Sequence, residues 1–139
     1  MPRVSILMSV YNGEKTLQES LNSIYRQSYT DWELIIINDC STDNSPDILS
    51  SAKAIFYNIK IITNSQNIGL TKSLNKGLLH CSGEYVARID ADDSWNKDKL
   101  KKQVAFLDRN DTYGLVATNS FVIDIKGVNR SYNELDLES

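Results

Sequence analysis

The chain has 139 residues, of which 41% are hydrophobic and 24% charged, and its formal net charge is −3 at pH 7. This composition is typical of one globular domain with a single packed core, and it excludes a disordered or fibrous protein. Basic residues are scattered except for four lysines that we expect on the solvated face of a helix: Lys97, Lys99, Lys101 and Lys102. The sequence therefore predicts no nucleic-acid partner, because such binding needs a basic face.

The cysteine and histidine content argues against two further classes of site. Cys40 and Cys81 lack the spacing of metal ligands, and the single histidine, His80, cannot build a histidine-rich metal site. Two cysteines in this context fit a reducing compartment. No signal-peptide pattern is found at the N-terminus, and the longest apolar run, residues 34–37, is too short to span a bilayer. We expect a cytoplasmic protein, with association at the inner face of the membrane left open.

The first half of the chain alternates between strand and helix patterns. Residues 4–10 are apolar and β-prone, and Asn12 is expected to cap a helix. The apolar positions of that helix recur at helical spacing: Leu17, Leu21, Ile24 and Tyr25. Residues 32–37 form a continuous apolar run typical of a buried strand. Ser45-Pro46-Asp47 predicts the start of a second helix, with a cap, a proline and a first-turn acid.

The second half continues this alternation. Residues 59–62 predict a third strand, and residues 84–89 predict a fourth. The third helix is indicated by leucines at every fourth position: Leu70, Leu74 and Leu78. Asn96 is expected to cap a fourth helix with three inward apolar residues: Leu100, Val104 and Leu107. Residues 115–117 and 121–125 predict two more strands, the second ending in a turn at 126–127, and the polar tail after Asn129 shows no periodicity.

Strands alternating with helices predict an α/β fold, with a mainly parallel sheet sandwiched by helices. Ligands of such sheets bind outside the carboxyl ends of the strands. Polar residues follow each of the four strands there: Tyr11 and Asn12; Asn38, Asp39 and Ser41; Asn64 and Asn67; Asp90, Asp92 and Asp93. Capping of loops explains each group alone but not their shared edge, and for Asn64 and Asn67 the two interpretations are balanced.

The motifs VSILMSVYN, LIIINDCSTDNS, NIGLTKSLNKGL and GEYVARIDADD occur in this order over nearly the whole chain. Together they resemble the family 2 glycosyltransferases of GT-A fold. The resemblance implies a Rossmann-like nucleotide-diphospho-sugar transferase fold, with residues 1–139 as one nucleotide-sugar-binding domain at the start of a longer transferase. It also implies a nucleotide-sugar donor and a saccharide or lipid-linked acceptor, in polysaccharide or glycolipid synthesis.

Three carboxylates in four positions repel one another unless a positive charge compensates them. Asp90-Ala91-Asp92 looks like the Asp-X-Asp motif of that family, which implies Mn²⁺ or Mg²⁺, hard ions that take oxygen ligands. By resemblance, Asp92 is the metal ligand and Asp90 contacts the ribose or a metal ligand. No functional role is assigned to Asp93 from the sequence; an acid at the start of a helix is consistent with a structural one.

Asp39 has a physical case of its own, because a carboxylate can accept the imide N–H of uracil or thymine. Tyr11 would stack on that base, although a core or rim tyrosine is the alternative. Arg88 stands at a position that, by resemblance, lies near the diphosphate in this family. An ion pair with Asp39 or Asp90 would explain an arginine at this position equally well. Cys40 stands where the family usually has glycine, and the next loop residues, Thr42 and Asp43, are expected to shape the loop.

Nothing after residue 125 resembles the acidic base that deprotonates the acceptor in this family, so we expect that base outside this chain. The expected reaction is an inverting, metal-assisted transfer from a UDP- or dTDP-sugar to a hydroxyl. A phosphatase of the haloacid-dehalogenase type also begins with Asp-X-Asp, but on its first strand and not its fourth. The remaining alternative is a non-catalytic module that binds a nucleotide-sugar without the acceptor half and the base.

Overall fold

The structure, a computed structural model, describes residues 1–118, 120–123 and 129–132. The chain forms two compact units, residues 1–101 and residues 102–139. That residues 1–139 act as one nucleotide-sugar-binding domain stays a prediction.

The first unit alternates strands and helices as expected. Its elements are β1 (Val4–Val10), α1 (Leu17–Tyr25), β2 (Trp32–Asn38), α2 (Ser45–Ile55), β3 (Ile59–Thr63), α3 (Leu70–Leu78) and β4 (Tyr85–Arg88). A fourth helix, α4 (Lys99–Arg109), begins in this unit and continues into the next. The fourth strand is shorter than predicted, because Ile89 continues the ladder with only one further hydrogen bond, to the Leu7 carbonyl.

All four strands are parallel and lie in the order β3-β2-β1-β4. β1 pairs with β2 along its whole length, whereas β4 pairs only with Val4 to Leu7 of β1. The chain therefore leaves β4 beside the middle of β1, and the acidic residues follow there. This arrangement confirms the predicted parallel α/β fold.

Alternate residues of β1 and β2 point to opposite faces of the sheet, and both faces are buried. One face packs Leu7, Ile35 and Ile37 against partly buried side chains that include Leu74 of α3. The other face carries fully buried residues: Ile6, Met8, Leu34 and Ile36. Burial of one such side chain contributes about 1.5–3 kcal/mol, so the two faces supply most of the driving force for this layer.

Helix α3 presents a different face to the sheet than the leucine repeat predicts. Leu70 and Leu78 are 49% and 46% exposed, whereas Ser73 and Gly77 are buried. A β-carbon added at Gly77 would lie 2.3 Å from Leu7 Cδ1. The helix therefore approaches the sheet through its small residues, and only Leu74 of the repeat packs there.

The predicted starts of the first two helices are corrected. Asn12 does not cap α1, which begins at Leu17 after Thr16. Its φ of 50° lies in the left-handed region that asparagine tolerates, and its side chain bonds to another loop. The cap of α2 is Asn44, one residue before the predicted serine.

Asn96 was expected to cap the fourth helix, but it lies three residues before the first helical residue, Lys99, and bonds within the preceding turn. Its side-chain oxygen accepts the Asp98 N–H at 3.1 Å, in the turn that leads into α4 at Lys99. Leu100 and Val104 are buried, and Leu107 is half-buried.

The second unit contains an antiparallel pair, β5 (Phe121–Ile123) and β6 (Asn129–Tyr132), with a register irregularity between Val122 and Ile123. Residues 115–117 do not form a strand. β6 was not expected from the polar tail, because polar residues carry little strand periodicity. The predicted turn at 126–127 and the end of the predicted strand at 124–125 lie outside the described residues.

Candidate functional site

The loops after β1 and β2 are joined by backbone-to-side-chain hydrogen bonds. Asn12 Oδ1 accepts the Thr42 N–H at 2.7 Å, and the Asn12 N–H donates to Ser41 Oγ at 3.1 Å. The Gly13 N–H donates to Ser45 Oγ at 2.9 Å. These bonds fix the backbone directly after Tyr11, so the loop that carries Tyr11 and Asn12 is positioned by the loop after β2.

Two acidic side chains, Asp43 and Glu14, add further hydrogen bonds between the loops after β1 and β2. Asp43 accepts the backbone N–H groups of Glu14, at 3.0 Å, and Ser45, at 2.9 Å, while Glu14 accepts the Asn44 N–H at 3.0 Å. Burial opposes the charge of Asp43, but the N–H donors of Glu14 and Ser45 outweigh it and lower its pKa. The predicted loop-shaping role of Asp43 is confirmed.

Asp39 is buried, with 2% of its surface exposed. One carboxylate oxygen accepts the Ile68 N–H at 2.8 Å and Asn64 Nδ2 at 2.9 Å, and the other accepts the Gly69 N–H at 2.9 Å. Burial alone would raise the pKa of Asp39, but these donors and the Ser73 hydroxyl lower it below its ordinary value. Asp39 is thus a charged carboxylate that anchors the segment leading into α3.

Asn64 and Lys76 extend this network. Asn64 Nδ2 also donates to Ser73 Oγ at 3.1 Å, and Asn64 Oδ1 accepts Lys76 Nζ at 2.7 Å. The lysine contact fixes which way the amide points, since only the oxygen can accept. Asn64 therefore has a structural role, Asn67 is exposed, and Lys76 is a member that the sequence did not single out.

Cys40 lies next to Asp39 with a φ of 62°, in the left-handed region that favours glycine. Its Sγ is 3.7 Å from the Ser65 carbonyl oxygen. Cys40, which stands where the family usually has glycine, therefore has a strained backbone conformation. Tyr11, close by in the chain, is 53% exposed, which excludes the core alternative and leaves its ring face accessible.

The acidic residues after β4 converge. Asp90, Asp92 and Asp93 each offer a carboxylate oxygen, and these oxygens lie within 4.8 Å of one another. Burial, then the charges of Asp92 and Asp90, raise the pKa of Asp93 above its ordinary value. Hard oxygen donors at this spacing, partly open to solvent, fit a divalent cation that keeps positions for other oxygen ligands.

Two cations lie near this acidic cluster. Arg88 donates to Asp90 Oδ1 from Nε at 3.1 Å and from Nη2 at 2.9 Å, so the ion-pair alternative is found with Asp90. Lys99 is half-buried, with Nζ 5.6 Å from the centre of the Trp95 ring. Burial lowers the pKa of Lys99, and the Asp93 charge opposes that shift. Lys99 therefore departs from the solvated face expected for the lysine patch.

Hydroxyl groups at the start of α1 donate hydrogen bonds to backbone carbonyls of the acidic segment, residues 90–93. Thr16 Oγ1 donates to the Ala91 carbonyl at 3.0 Å, and Ser20 Oγ lies 2.8 Å from the same oxygen and 2.5 Å from the Asp93 carbonyl. Helical spacing in the sequence indicated only apolar contacts for this helix. Thr16 and Ser20 were missed because their partners lie more than 70 residues away.

The predicted site residues other than Tyr11, which lies in the loop after β1, fall into two groups on the carboxyl side of the sheet. Asp39 and Asn64 meet in a buried network, and the acidic cluster forms beside α1 with Arg88. A shallow groove of about 490 Å³ lies instead at the amino side, lined by residues such as Trp32, Glu33 and Lys60, and it contains none of the predicted site residues. Within the described residues, no helix combines the length and the apolar character that crossing a membrane requires.

Comparison with known proteins finds glycosyltransferases. The sequence profile of "Glycosyl transferase family 2" matches residues 5–135. EpsE of Bacillus subtilis (strain 168), a protein named as a glycosyltransferase, is 45% identical over 128 residues, which cover 91% of this chain and 46% of EpsE. TarS of Staphylococcus aureus, a poly(ribitol-phosphate) beta-N-acetylglucosaminyltransferase, is 34% identical over 134 residues, 93% of this chain and 22% of TarS. The chain therefore spans less than half the length of these relatives.

Solved structures agree with the fold. TarS 1–349 in complex with UDP matches with a TM-score of 0.73 and 33% identity, over 78% of this chain and 33% of that one. The mannosyltransferase PcManGT of Pyrobaculum calidifontis, in complex with GDP-Man and Mn²⁺, matches with a TM-score of 0.72 and 29% identity, over 76% of this chain and 32% of that one. The parallel sheet and these neighbours confirm the GT-A fold, and the chain belongs to glycosyl transferase family 2.

Proposed function

We propose that this chain is the donor-binding part of a glycosyltransferase that moves a sugar from a UDP- or dTDP-sugar to a hydroxyl of a saccharide or lipid-linked acceptor. The reaction requires Mn²⁺ or Mg²⁺ and inverts the anomeric carbon. The observation that carries the proposal is the convergence of Asp90, Asp92 and Asp93 within 4.8 Å at the carboxyl side of a parallel sheet. The acceptor class places the reaction in polysaccharide or glycolipid synthesis.

The base of the nucleotide would bind between Tyr11 and Asp39. A carboxylate offers about four acceptor positions; three N–H donors use three of those on Asp39, and the Ser73 hydroxyl also interacts with it. The single imide N–H of uracil or thymine would take the fourth position in place of that hydroxyl. The half-exposed ring of Tyr11 supplies a stacking surface. The UDP complex of TarS supports this choice of base, whereas PcManGT carries GDP-Man.

The diphosphate would bind beside the acidic cluster. Asp92 would hold the cation, Asp90 would contact the ribose or a metal ligand, and Arg88 would contact the diphosphate. A divalent cation at this place supplies Lewis-acid stabilisation of the charge that builds on the departing diphosphate. The Arg88 guanidinium is half-exposed and donates to Asp90 from Nε and Nη2, so its remaining N–H groups can donate to a phosphate oxygen. The Mn²⁺ complex of PcManGT supports the metal.

The general base is expected outside residues 1–139. Because general-base catalysis contributes about 10²–10⁴-fold, the chain by itself is expected to bind the donor with little or no transfer. In this proposal the reaction takes place in the cytoplasm, at the inner face of the membrane where the acceptor is lipid-linked.

The test is thermal unfolding of the chain with UDP, dTDP, GDP and ADP in turn, with and without Mn²⁺. UDP or dTDP at about a hundred times its Kd should add about 2.7 kcal/mol of stability, in a manner that needs Mn²⁺. Asp92→Asn should abolish the shift. Asp31→Asn, at the opposite side of the sheet, is the matched control and should retain it.

The outcomes separate the alternatives. Stabilisation by all four diphosphates alike would contradict the proposed role of Asp39 in base selection. Stabilisation that is independent of Mn²⁺ and of Asp92 would contradict the metal-dependent mechanism. Binding without transfer, in a longer chain that includes the second half of the family's length, would support the non-catalytic module instead.

A further inference from the structure

Three polar side chains of α1 and its flanks reach across to residues 91–100. Thr16 and Ser20 contact the carbonyls of the acidic segment. Gln27, buried beyond the other end of the helix, donates to the Asn96 carbonyl at 2.7 Å and accepts the Leu100 N–H at 3.1 Å. Helix α1 and the residues on either side of it therefore contact both ends of the connection from the acidic cluster to α4.

Thr16 does not use its hydroxyl as its position would suggest. A threonine that precedes a helix ordinarily accepts an N–H of the first turn, a bond that stabilises the helix by about 1 kcal/mol. Thr16 makes no such bond and donates to the Ala91 carbonyl instead. The local capping interaction is thus replaced by a contact 75 residues away.

Ser20 is 1% exposed, and its single hydroxyl proton is shared between the carbonyls of Ala91 and Asp93. Ser23, one turn later on the same helix, shows the ordinary alternative. Its hydroxyl donates back to the Ser20 carbonyl at 2.7 Å, within the helix. The two buried serines therefore differ in their acceptors: Ser20 donates to the acidic segment, whereas Ser23 donates within its own helix.

These contacts bracket Asp92. The Ala91 carbonyl precedes it, the Asp93 carbonyl follows it, and the Asp93 N–H donates to the Asp90 carbonyl at 3.0 Å. Because both flanking carbonyls are hydrogen-bonded to Thr16 or Ser20, rotation of the backbone at Asp92 is restricted, which opposes separation of three carboxylates that repel one another. The carboxylates then remain close before any cation binds, which removes an ordering cost from binding.

We propose that Thr16 and Ser20 are positioning residues for the divalent cation, acting through the Ala91 and Asp93 carbonyls rather than by contact with the ion. This inference rests on the proposed metal-dependent function. Groups that orient metal ligands typically change metal affinity by 10- to 100-fold when removed. We expect about a tenfold loss for Ser20→Ala and a smaller loss for Thr16→Val.

The experiment measures the Kd for Mn²⁺ alone, from the electron paramagnetic resonance signal of the free ion, together with the thermal midpoint of each variant. Ser23→Ala is the matched control, since it also removes a buried hydroxyl of α1. It should lower the thermal midpoint about as much as Ser20→Ala but leave the Kd unchanged. Thr16→Ser, which keeps the hydroxyl, should retain the Kd of the wild-type chain.

Hydrogen exchange of residues 90–95 without metal gives a second readout. Ser20→Ala should speed exchange there, and Ser23→Ala should not. Unchanged Mn²⁺ affinity in both Ser20→Ala and Thr16→Val would overturn the inference while leaving the proposed function intact, provided that Asp92→Asn abolishes binding. Equal losses of affinity in Ser20→Ala and Ser23→Ala would also overturn it. Absence of Mn²⁺ binding by the wild-type chain would overturn the metal-dependent function and this inference with it.

Discussion

Asp39 combines a structural role with its proposed role in base recognition. Its carboxylate holds the N–H groups of Ile68 and Gly69 at the start of α3, and it is almost fully buried. A buried donor that loses its acceptor costs about 1–3 kcal/mol, so the structural role is the energetically stronger one. Loss of nucleotide binding in an Asp39 variant therefore has to be separated from loss of folding.

Asp39→Asn is expected to lower the free energy of unfolding by about 2 kcal/mol. The amide has one acceptor oxygen where the carboxylate has two, so an N–H of Ile68 or Gly69 loses its partner. Urea denaturation measures the change. Asp47→Asn, an exposed first-turn acid of α2, should cost only about 0.5 kcal/mol. Equal losses in the two variants would contradict the structural role of Asp39.

Cys40→Gly is expected to stabilise the chain by about 0.5–1 kcal/mol. A side chain in the left-handed region costs about 1–2 kcal/mol, and glycine removes that cost. Glycine also has more conformational entropy in the unfolded chain, which offsets part of the stabilisation. Thermal unfolding should show a raised midpoint. Cys40→Ala keeps the β-carbon and should show no such increase, so a gain in both variants would argue against backbone strain as the cause.

At the scale of elements, α3 shows how a helix can pack through its smallest residues. Gly77 brings its backbone close to Leu7 and Ile37, while the larger Leu70 and Leu78 remain half-exposed. This close approach also places Ser73 and Lys76 beside Asn64, in the network around Asp39. The packing of one helix thus determines the shape of the proposed base site.

Gly77→Ala is expected to lower the free energy of unfolding by about 1 kcal/mol net. Alanine favours the helix by about 1 kcal/mol, but its β-carbon would lie 2.3 Å from Leu7 Cδ1 and overpacking typically costs about 1–3 kcal/mol. Asn75→Ala, at an exposed position of the same helix, gains the helix preference without the clash and should stabilise. Urea denaturation of both variants provides the comparison, and stabilisation by Gly77→Ala would contradict the expected packing cost and show that Leu7 moves aside.

At the scale of the whole molecule, hydrogen-bonded carboxylates hold both sides of the sheet. Asp39 secures the carboxyl side, and Glu33 secures the amino side by accepting Ser5 Oγ at 2.5 Å and the Ser82 N–H at 2.8 Å. Burial opposes the charge of each, but the hydrogen bonds prevail and lower the pKa of both groups. Stability at both sides therefore depends on ionised carboxylates.

Stability is expected to fall in acid, below about pH 4. A carboxyl whose folded-state pKa lies below its unfolded value contributes stability above the unfolded value and loses it as pH falls through the folded one. Urea denaturation at pH 7, 5, 4 and 3 should show a plateau and then a decline. Glu33→Gln should have a shallower decline than wild type, and an identical profile would contradict the contribution of Glu33.

Much of this protein could be predicted from its sequence because the signals are local. Continuous apolar runs placed β1, β2 and β3, and the carboxyl ends of β2 and β4 brought Asp39 and the Asp90 cluster to one side of the sheet. The sequence left the role of Asp93 open, and the structure places its carboxylate within the cluster. The functional roles of Tyr11, Asp39, Arg88, Asp90 and Asp92 stay predictions.

Contacts between distant residues decided the rest. Asn12 has the chemistry of a helix cap, but its side chain bonds to Thr42, 30 residues away, because tertiary packing brings the two loops together. Periodicity likewise could not show that Gly77 rather than Leu78 faces the sheet, since that depends on how closely α3 approaches it. The sequence alone determined the order of the elements and the chemistry at the strand ends, both set by neighbouring residues. Only the tertiary structure decided which hydroxyls of α1 hold the acidic segment, because their partners are distant in the chain and meet through folding.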